Sequence, residues 1–271
     1  MVIPTLVFAF LLFGAGSWLW KKLDASYGPA MKVSALVAAA ALAVPAAVFV
    51  LYYTHTFDNA VWYYRFRAAP CTELTAPLSG LFAGMLYAVV GSNASTRKYI
   101  SGGVLVFLMF AGIMIPHIKP IIMPLNIGGM EDLRRDGICL QSTGSTCGPC
   151  STSTLLRYFG YDVAEKQVAW EAHSSGTGTE NWYLARVFRR RGLNTEFIIT
   201  RNPKKDAIPY PSVAGVVVNV QNKRLGHFIA VLDKEGDEYI VGDPLFGRMR
   251  VPENQIGEKF IFTGFFLKVT E

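Results

Sequence analysis

The chain has 271 residues, of which 51% are hydrophobic and 17% charged, a balance that does not fit a wholly soluble protein. Residues 1–125 carry eight Lys and Arg against three acids, whereas 126–271 carry eighteen against seventeen, so the net +6 divides into +5 on the apolar half and +1 on the polar half. No basic face remains to follow a phosphate backbone, which excludes nucleic acid as a partner, and four cysteines in so long a chain are not the framework of a small disulfide-stapled domain.

Two regions are therefore predicted, a transmembrane region over 1–125 and a folded domain over 126–271. Val2–Trp20 and Val33–Tyr53 run nineteen and twenty-one residues without a charge, long enough to cross ~30 Å of hydrocarbon as helices. Ala76–Ser92 and Ile100–Ile115 are shorter and are predicted as the third and fourth spans. Lys21 and Lys22 follow the first stretch and no basic segment precedes it, so it reads as a retained anchor rather than a cleaved signal. The positive-inside rule puts the loop with Lys21, Lys22 and Lys32 in the cytoplasm, together with the loop holding Arg97 and Lys98. Four spans then place both termini and the folded domain on the extracytoplasmic side, although Arg65, Arg67, Arg134 and Arg135 oppose this. Gly80 and Gly84 form a G-x-x-x-G pair in the third span, suited to helix packing within the bundle or to contact with a second copy of the chain.

The polar half is predicted as an α+β domain with its helices first, over 148–159, 164–173 and 180–191. Antiparallel strands follow over 195–200, 213–220, 226–232, 238–242 and 261–269. Cys147-Gly148-Pro149-Cys150 opens the first helix, where unpaired N–H groups and the helix dipole favour a thiolate. The four hydroxyl residues Ser151–Thr154 offer little apolar cover there. A thiolate that attacks a carbonyl needs a nearby base, and the base needs a third group to orient it. A hairpin turning at Lys234-Glu235-Gly236 supplies both. In that register Ile229 faces Val241, Val231 faces Tyr239 and His227 faces Asp243. Trp182, Ala185 and Phe188 fall at helical spacing and are predicted as core, with Thr179 as N-cap of their helix.

These residues resemble the papain-like, bacteriocin-processing cysteine peptidases that cut after double-glycine leaders. The resemblance covers about residues 138–269. It rests on Gln141 six positions before Cys147, on Cys147-Gly148-Pro149, on Gly226-His227-Phe228, on Asp243-Pro244 with Gly247, and on the closing Phe262-Thr263-Gly264-Phe265-Phe266-Leu267. It implies a papain-like fold, Cys147 as nucleophile, His227 as base, Asp243 as its orienting carboxylate and Gln141 as an oxyanion donor. It also implies a peptide or protein substrate, a transporter partner and no metal or organic cofactor. The chain has no G-x-x-x-x-G-K-[ST] phosphate loop of its own, which puts export by the same chain in doubt.

Where that family commonly has alanine this chain has Cys150. A dithiol oxidoreductase using Cys147 and Cys150 is therefore an alternative, as are an acyl-transfer enzyme or a peptide-binding module on the same scaffold. Helical spacing also makes a Cys147–Cys150 disulfide conceivable as an off-switch, against Cys150 simply packing in alanine's place. Cys139 and Cys71 are given no role.

Overall fold

The computed structural model describes residues 2–52, 54–90, 95–114, 117–202, 207–220 and 223–271. The expected span ends at Tyr53, Ser92 and Ile115 lie outside the described residues. In chain order the first part forms α1 (Val2–Ser26), α2 (Pro29–Tyr52), α3 (Val61–Ala68), a 3₁₀ segment (Thr72–Leu78) running into α4 (Ser79–Val90), α5 (Ser95–Met114) and α6 (Ile118–Ile122). The chain divides into two compact units, Met1–Asp58 with Cys71–Ile118, and Asn59–Pro70 with Lys119–Glu271.

In the first unit Pro4–Ser26, Pro29–Tyr52 and Thr72–Val90 are long and apolar enough to cross a membrane, and Gly103–Met114 of α5 is a shorter apolar stretch. Large apolar side chains such as Leu11, Trp18, Val37 and Phe107 stay exposed on these helices, the reverse of a water-soluble bundle. Helices α1 and α4 meet backbone to backbone: a Cβ at Gly80 would lie 2.3 Å from the Ala9 carbonyl oxygen, and one at Gly84 2.0 Å from that of Phe13. Only glycine allows so close an approach. Of the two readings of Gly80 and Gly84, this is packing within the bundle, with α1 of the same chain against that face.

The second unit contains β1 (Arg134–Arg135), β2 (Ile138–Cys139), α7 (Cys147–Tyr158), α8 (Glu165–Glu171), α9 (Asn181–Arg189), β3 (Asn194–Ile199), β4 (Ser212–Val220), β5 (Lys223–Glu235), β6 (Glu238–Asp243), β7 (Gly247–Pro252), α10 (Glu253–Lys259) and β8 (Ile261–Thr270). The helices come first and the sheet second, as the periodicity predicts, with element ends displaced by at most three residues. The sheet is antiparallel in the order β3-β8-β4-β5-β6-β7. Strand β7 and helix α10 have no counterpart among the predicted elements. Strand β7 is an edge strand in which exposed Arg248 and Arg250 alternate with inward Met249 and Val251. One face of the sheet closes on Ile256 of α10 through Val216, Ile229, Val231, Val241 and Phe266.

Helix α7 packs against β4, β5 and β6. Its hydroxyl run is buried, contrary to the limited cover expected from sequence. Three of its four hydroxyls are satisfied locally, and that of Thr152 is not. Ser151 Oγ donates to the Phe228 carbonyl (3.0 Å), Ser153 Oγ donates to that of Val163 (2.5 Å), and Thr154 Oγ1 accepts from the Cys139 N–H (3.0 Å). A polar group so bonded can be buried with little penalty.

Helix α3 belongs to this unit although it lies between two predicted spans. Tyr63 and Tyr64 pack on Trp182 with ring centroids 5.7 and 6.3 Å apart, and Tyr64 also meets Phe197 and Phe265. The Arg67 guanidinium, 1% exposed, lies 4.7 Å over the Trp182 ring and donates to the hydroxyls of Tyr63 and Tyr183, both at 3.2 Å. Arg186 and Arg189 donate to the carbonyls of Arg67 and Ala68, which neutralises the open C-terminal end of α3. The Trp182, Ala185 and Phe188 stripe is buried as predicted, but the N-cap position is Glu180, without a side-chain cap bond, rather than Thr179.

Candidate active site

Cys147 is the first residue of α7 and keeps a free, half-buried thiol. Glycine next to it is needed for packing, since a Cβ at Gly148 would come within 3.2 Å of Leu184 and 3.4 Å of Phe228. The helix start is thereby brought close to strand β5, which carries His227.

His227 Nε2 lies 3.1 Å from Asp243 Oδ1, with both side chains almost fully buried. Cys147 acts on the same ring, and Nδ1 is the nitrogen left to face it. Burial works against the charged ring, but its bonds to Asp243 and Cys147 outweigh that and raise the imidazole from 6.5 to about 9. Asp243 is fixed in turn, because Oδ1 also accepts the Leu245 N–H at 2.8 Å in a tight turn that ends at Gly247 with φ +88. A thiol, an imidazole and a carboxylate in series can pass the thiol proton to the ring and hold the resulting ion pair.

The register behind this contact differs from the one predicted. The hairpin turns at Gly236-Asp237, with Gly236 at φ +61 and Glu235 opposite Glu238, and a bulge at Leu232 shifts the pairing so that Val231 faces Val241. His227 lies opposite Val216 of β4, not opposite Asp243. The slip near the site amounts to two residues, and side chains alternate with period two. His227 and Asp243 therefore still emerge on one face, as diagonal neighbours rather than direct partners.

Gln141 is joined to the same loop through its backbone, its N–H donating to the Pro244 carbonyl at 3.0 Å. Its side-chain amide donates one proton to the Thr143 carbonyl at 2.8 Å, and Nε2 carries a second. His227 and Asp243 are thus in side-chain contact, Cys147 acts on the same ring, and Gln141 is tied through its backbone to the residue after Asp243.

Two features at this site have no counterpart in the sequence reading. Cys150 forms a disulfide with Cys139, Cα to Cα 5.2 Å, and both are fully buried. This replaces both readings of Cys150, as a small residue in alanine's place and as a partner of Cys147, and with Cys150 so engaged the dithiol reading of Cys-Gly-Pro-Cys does not apply. Cys150 sits on the inward side of the first turn, facing β2, while Cys147 stays at the half-exposed helix start. Glu165, also fully buried, accepts from the Ser142 N–H (3.0 Å) and Oγ (2.5 Å). No sequence signal distinguishes Glu165 from an ordinary acidic residue in the first turn of a helix.

Comparison with known proteins bears on the same region. The model of the Peptidase C39 family matches residues 135–271, about half of the chain. An uncharacterized protein of Methanothermobacter marburgensis is 27% identical over 132 residues, which cover 47% of this chain and 83% of that protein. Among solved structures, similarity is found to a double glycine motif protease from an AMS/PCAT transporter in complex with the leader peptide. Its identity is 22% and its TM-score 0.40, over 49% of this chain and 89% of that one. The peptidase domain of Streptococcus ComA, a bi-functional ABC transporter of a quorum-sensing pathway, has 16% identity and a TM-score of 0.40, over 49% and 96%. The family match spans the helices, the sheet and all four cysteine-proximal site residues considered above, and the chain accordingly belongs to the Peptidase C39 family and is a cysteine peptidase.

Proposed function

We propose that this is a membrane-anchored peptidase that cuts after a double-glycine-type leader, with Cys147 attacking the peptide carbonyl. His227 takes the thiol proton, Asp243 orients the ring, and the Cys147 N–H with the Gln141 amide stabilises the oxyanion. The imidazolium protonates the departing amine, leaving a thioester. Water, deprotonated by His227, then releases the acid and restores the thiol. The observation that carries this reading is the series Cys147–His227–Asp243, with the ring raised to about 9. The Gly-Gly preference rests on family membership and on the motifs around Gln141 and Cys147.

The test uses the full chain in detergent with a peptidyl chloromethyl ketone ending in Gly-Gly, followed by mass mapping. Label is expected on Cys147 well before it appears on Cys71, which is also a free thiol and is exposed. Equal labelling of both, or none on Cys147, rejects the assignment.

The catalytic unit is proposed to face the extracytoplasmic side. Asn59–Pro70 and Lys119–Glu271 form one compact unit, so an even number of crossings must separate them. Thr72–Val90 supplies one and α5 is the candidate for the other. A disulfide in the unit fits an oxidising compartment, and Lys21, Lys22 and Lys32 fit a cytoplasmic first loop. Protease added to intact cells is expected to remove the C-terminal unit. Complete protection, with digestion only after lysis, would reverse the orientation.

A further inference from the structure

We propose that the Cys139–Cys150 disulfide is a positioning element of the active site, holding the oxyanion glutamine in register with the nucleophile helix. The inference rests on the roles proposed above for Cys147 and Gln141. Cys139 precedes Gln141 by two residues and Cys150 follows Cys147 by three, so the bond clamps both ends of the loop that carries the two groups.

The other supports of that loop are individual hydrogen bonds. Strand β2 is two residues long, pairs only with the equally short β1, and is outside the six-stranded sheet. Besides the disulfide, the segment is held by Cys139 N–H on Thr154 Oγ1, Leu140 N–H on the Leu133 carbonyl, Gln141 N–H on the Pro244 carbonyl, Ser142 on the buried Glu165 and on the Glu131 carbonyl, and Ser145 Oγ on the Gly176 carbonyl. The Cys139–Thr154 hydrogen bond also joins β2 to α7, and the covalent bond fixes the same junction one turn nearer Cys147. An oxyanion donor displaced by ~1 Å costs roughly 10²-fold in rate, so a covalent tie between the glutamine's segment and the nucleophile's helix bears directly on turnover. The bond forms when two thiols give up two electrons and two protons to a protein disulfide of the extracytoplasmic space, which leaves as a dithiol.

Glu165 lies so close that, with Cys139 and Cys150, its ligand atoms fall within 4.8 Å of one another. Two reduced thiolates and a carboxylate could hold zinc, and the experiment separates that outcome. The full chain is purified in detergent without reductant, and its thiols and metal content are mapped. A Cys139–Cys150 crosslink without metal is expected. The pair Cys139→Ala with Cys150→Ala is then assayed on an internally quenched Gly-Gly peptide. Its kcat is expected to fall by about 10- to 100-fold, with KM unchanged and with Cys147 alkylated by iodoacetamide as fast as in wild type. Alkylation by displacement needs no oxyanion site, so a merely unfolded or loosened nucleophile helix would change that rate as well.

Gln141→Ala should cost ~10²–10³ in kcat in the crosslinked protein, but less than about tenfold in the crosslink-free pair, because the donor is already misplaced there. Should the double variant fail to fold, Glu165→Gln loosens the same loop from the other side and is read in the same way. Two free thiols or bound zinc in the purified chain overturn the proposal. So do fully additive losses with Gln141→Ala, or turnover and alkylation falling together. Crosslinked wild type that cleaves no Gly-Gly peptide overturns instead the reading of the site on which the proposal rests, and the thiol map tells the two failures apart.

Discussion

Cys147→Ala is expected to abolish hydrolysis, lowering turnover by at least ~10⁴-fold, while the unfolding midpoint stays close to wild type. The thiol is free, half-buried and at the first residue of α7, so its removal opens no core cavity and leaves the Cys139–Cys150 bond in place. The only packing change is the loss of one sulfur beside His227. Turnover on the quenched peptide and thermal unfolding of the full chain in detergent check both halves of the expectation. Substantial activity retained at an unchanged midpoint would remove Cys147 from the mechanism.

His227→Ala should cost about as much, ~10⁴-fold, because the ring takes the thiol proton and later delivers one to the leaving amine. Asp243→Ala should cost less, since the carboxylate orients the ring and supports its charge without moving a proton itself. The pH profile separates these roles. The ring is raised to about 9 against burial, through Asp243 and the Cys147 sulfur. Below that pH it is cationic and can protonate the amine, and as pH rises through about 9 it loses that proton. The value of kcat/KM should therefore decline on an alkaline limb near 9. Asp243→Asn removes one of the groups that raise the ring, so the limb should move to lower pH. A limb that stays in place in Asp243→Asn would mean that the carboxylate does not act through the imidazole.

Much of the molecule is written in local patterns. Long charge-free runs announce the apolar helices, and the 3.6- and 2-residue periodicities place α7, α8, α9 and strands β3 to β6 and β8 within three residues. Cys147, His227, Asp243 and Gln141 can be picked out together because each stands in a motif with a chemical reason for its neighbours. Their assembly tolerated an error: the predicted hairpin register was wrong by two residues, and an even slip leaves side chains on the same face. A slip of one would have turned His227 away from Asp243.

What local patterns do not encode is which distant surfaces meet. The sequence by itself determined that an apolar helical half precedes an α+β half, and which residue types can do thiol chemistry there. Only the tertiary structure decided that Cys150 pairs with Cys139 rather than Cys147, because that depends on which side of α7 faces β2. It alone showed Ser151–Thr154 buried, with Ser151, Ser153 and Thr154 bonded to backbone groups of Phe228, Val163 and Cys139 on other elements. It alone placed Asn59–Pro70 in the same unit as the sheet, through an arginine and two tyrosines that in sequence look like an ordinary polar loop between spans. In each case the deciding energy is burial or hydrogen bonding between groups far apart in the chain, and a single sequence carries no period or spacing that records such a contact.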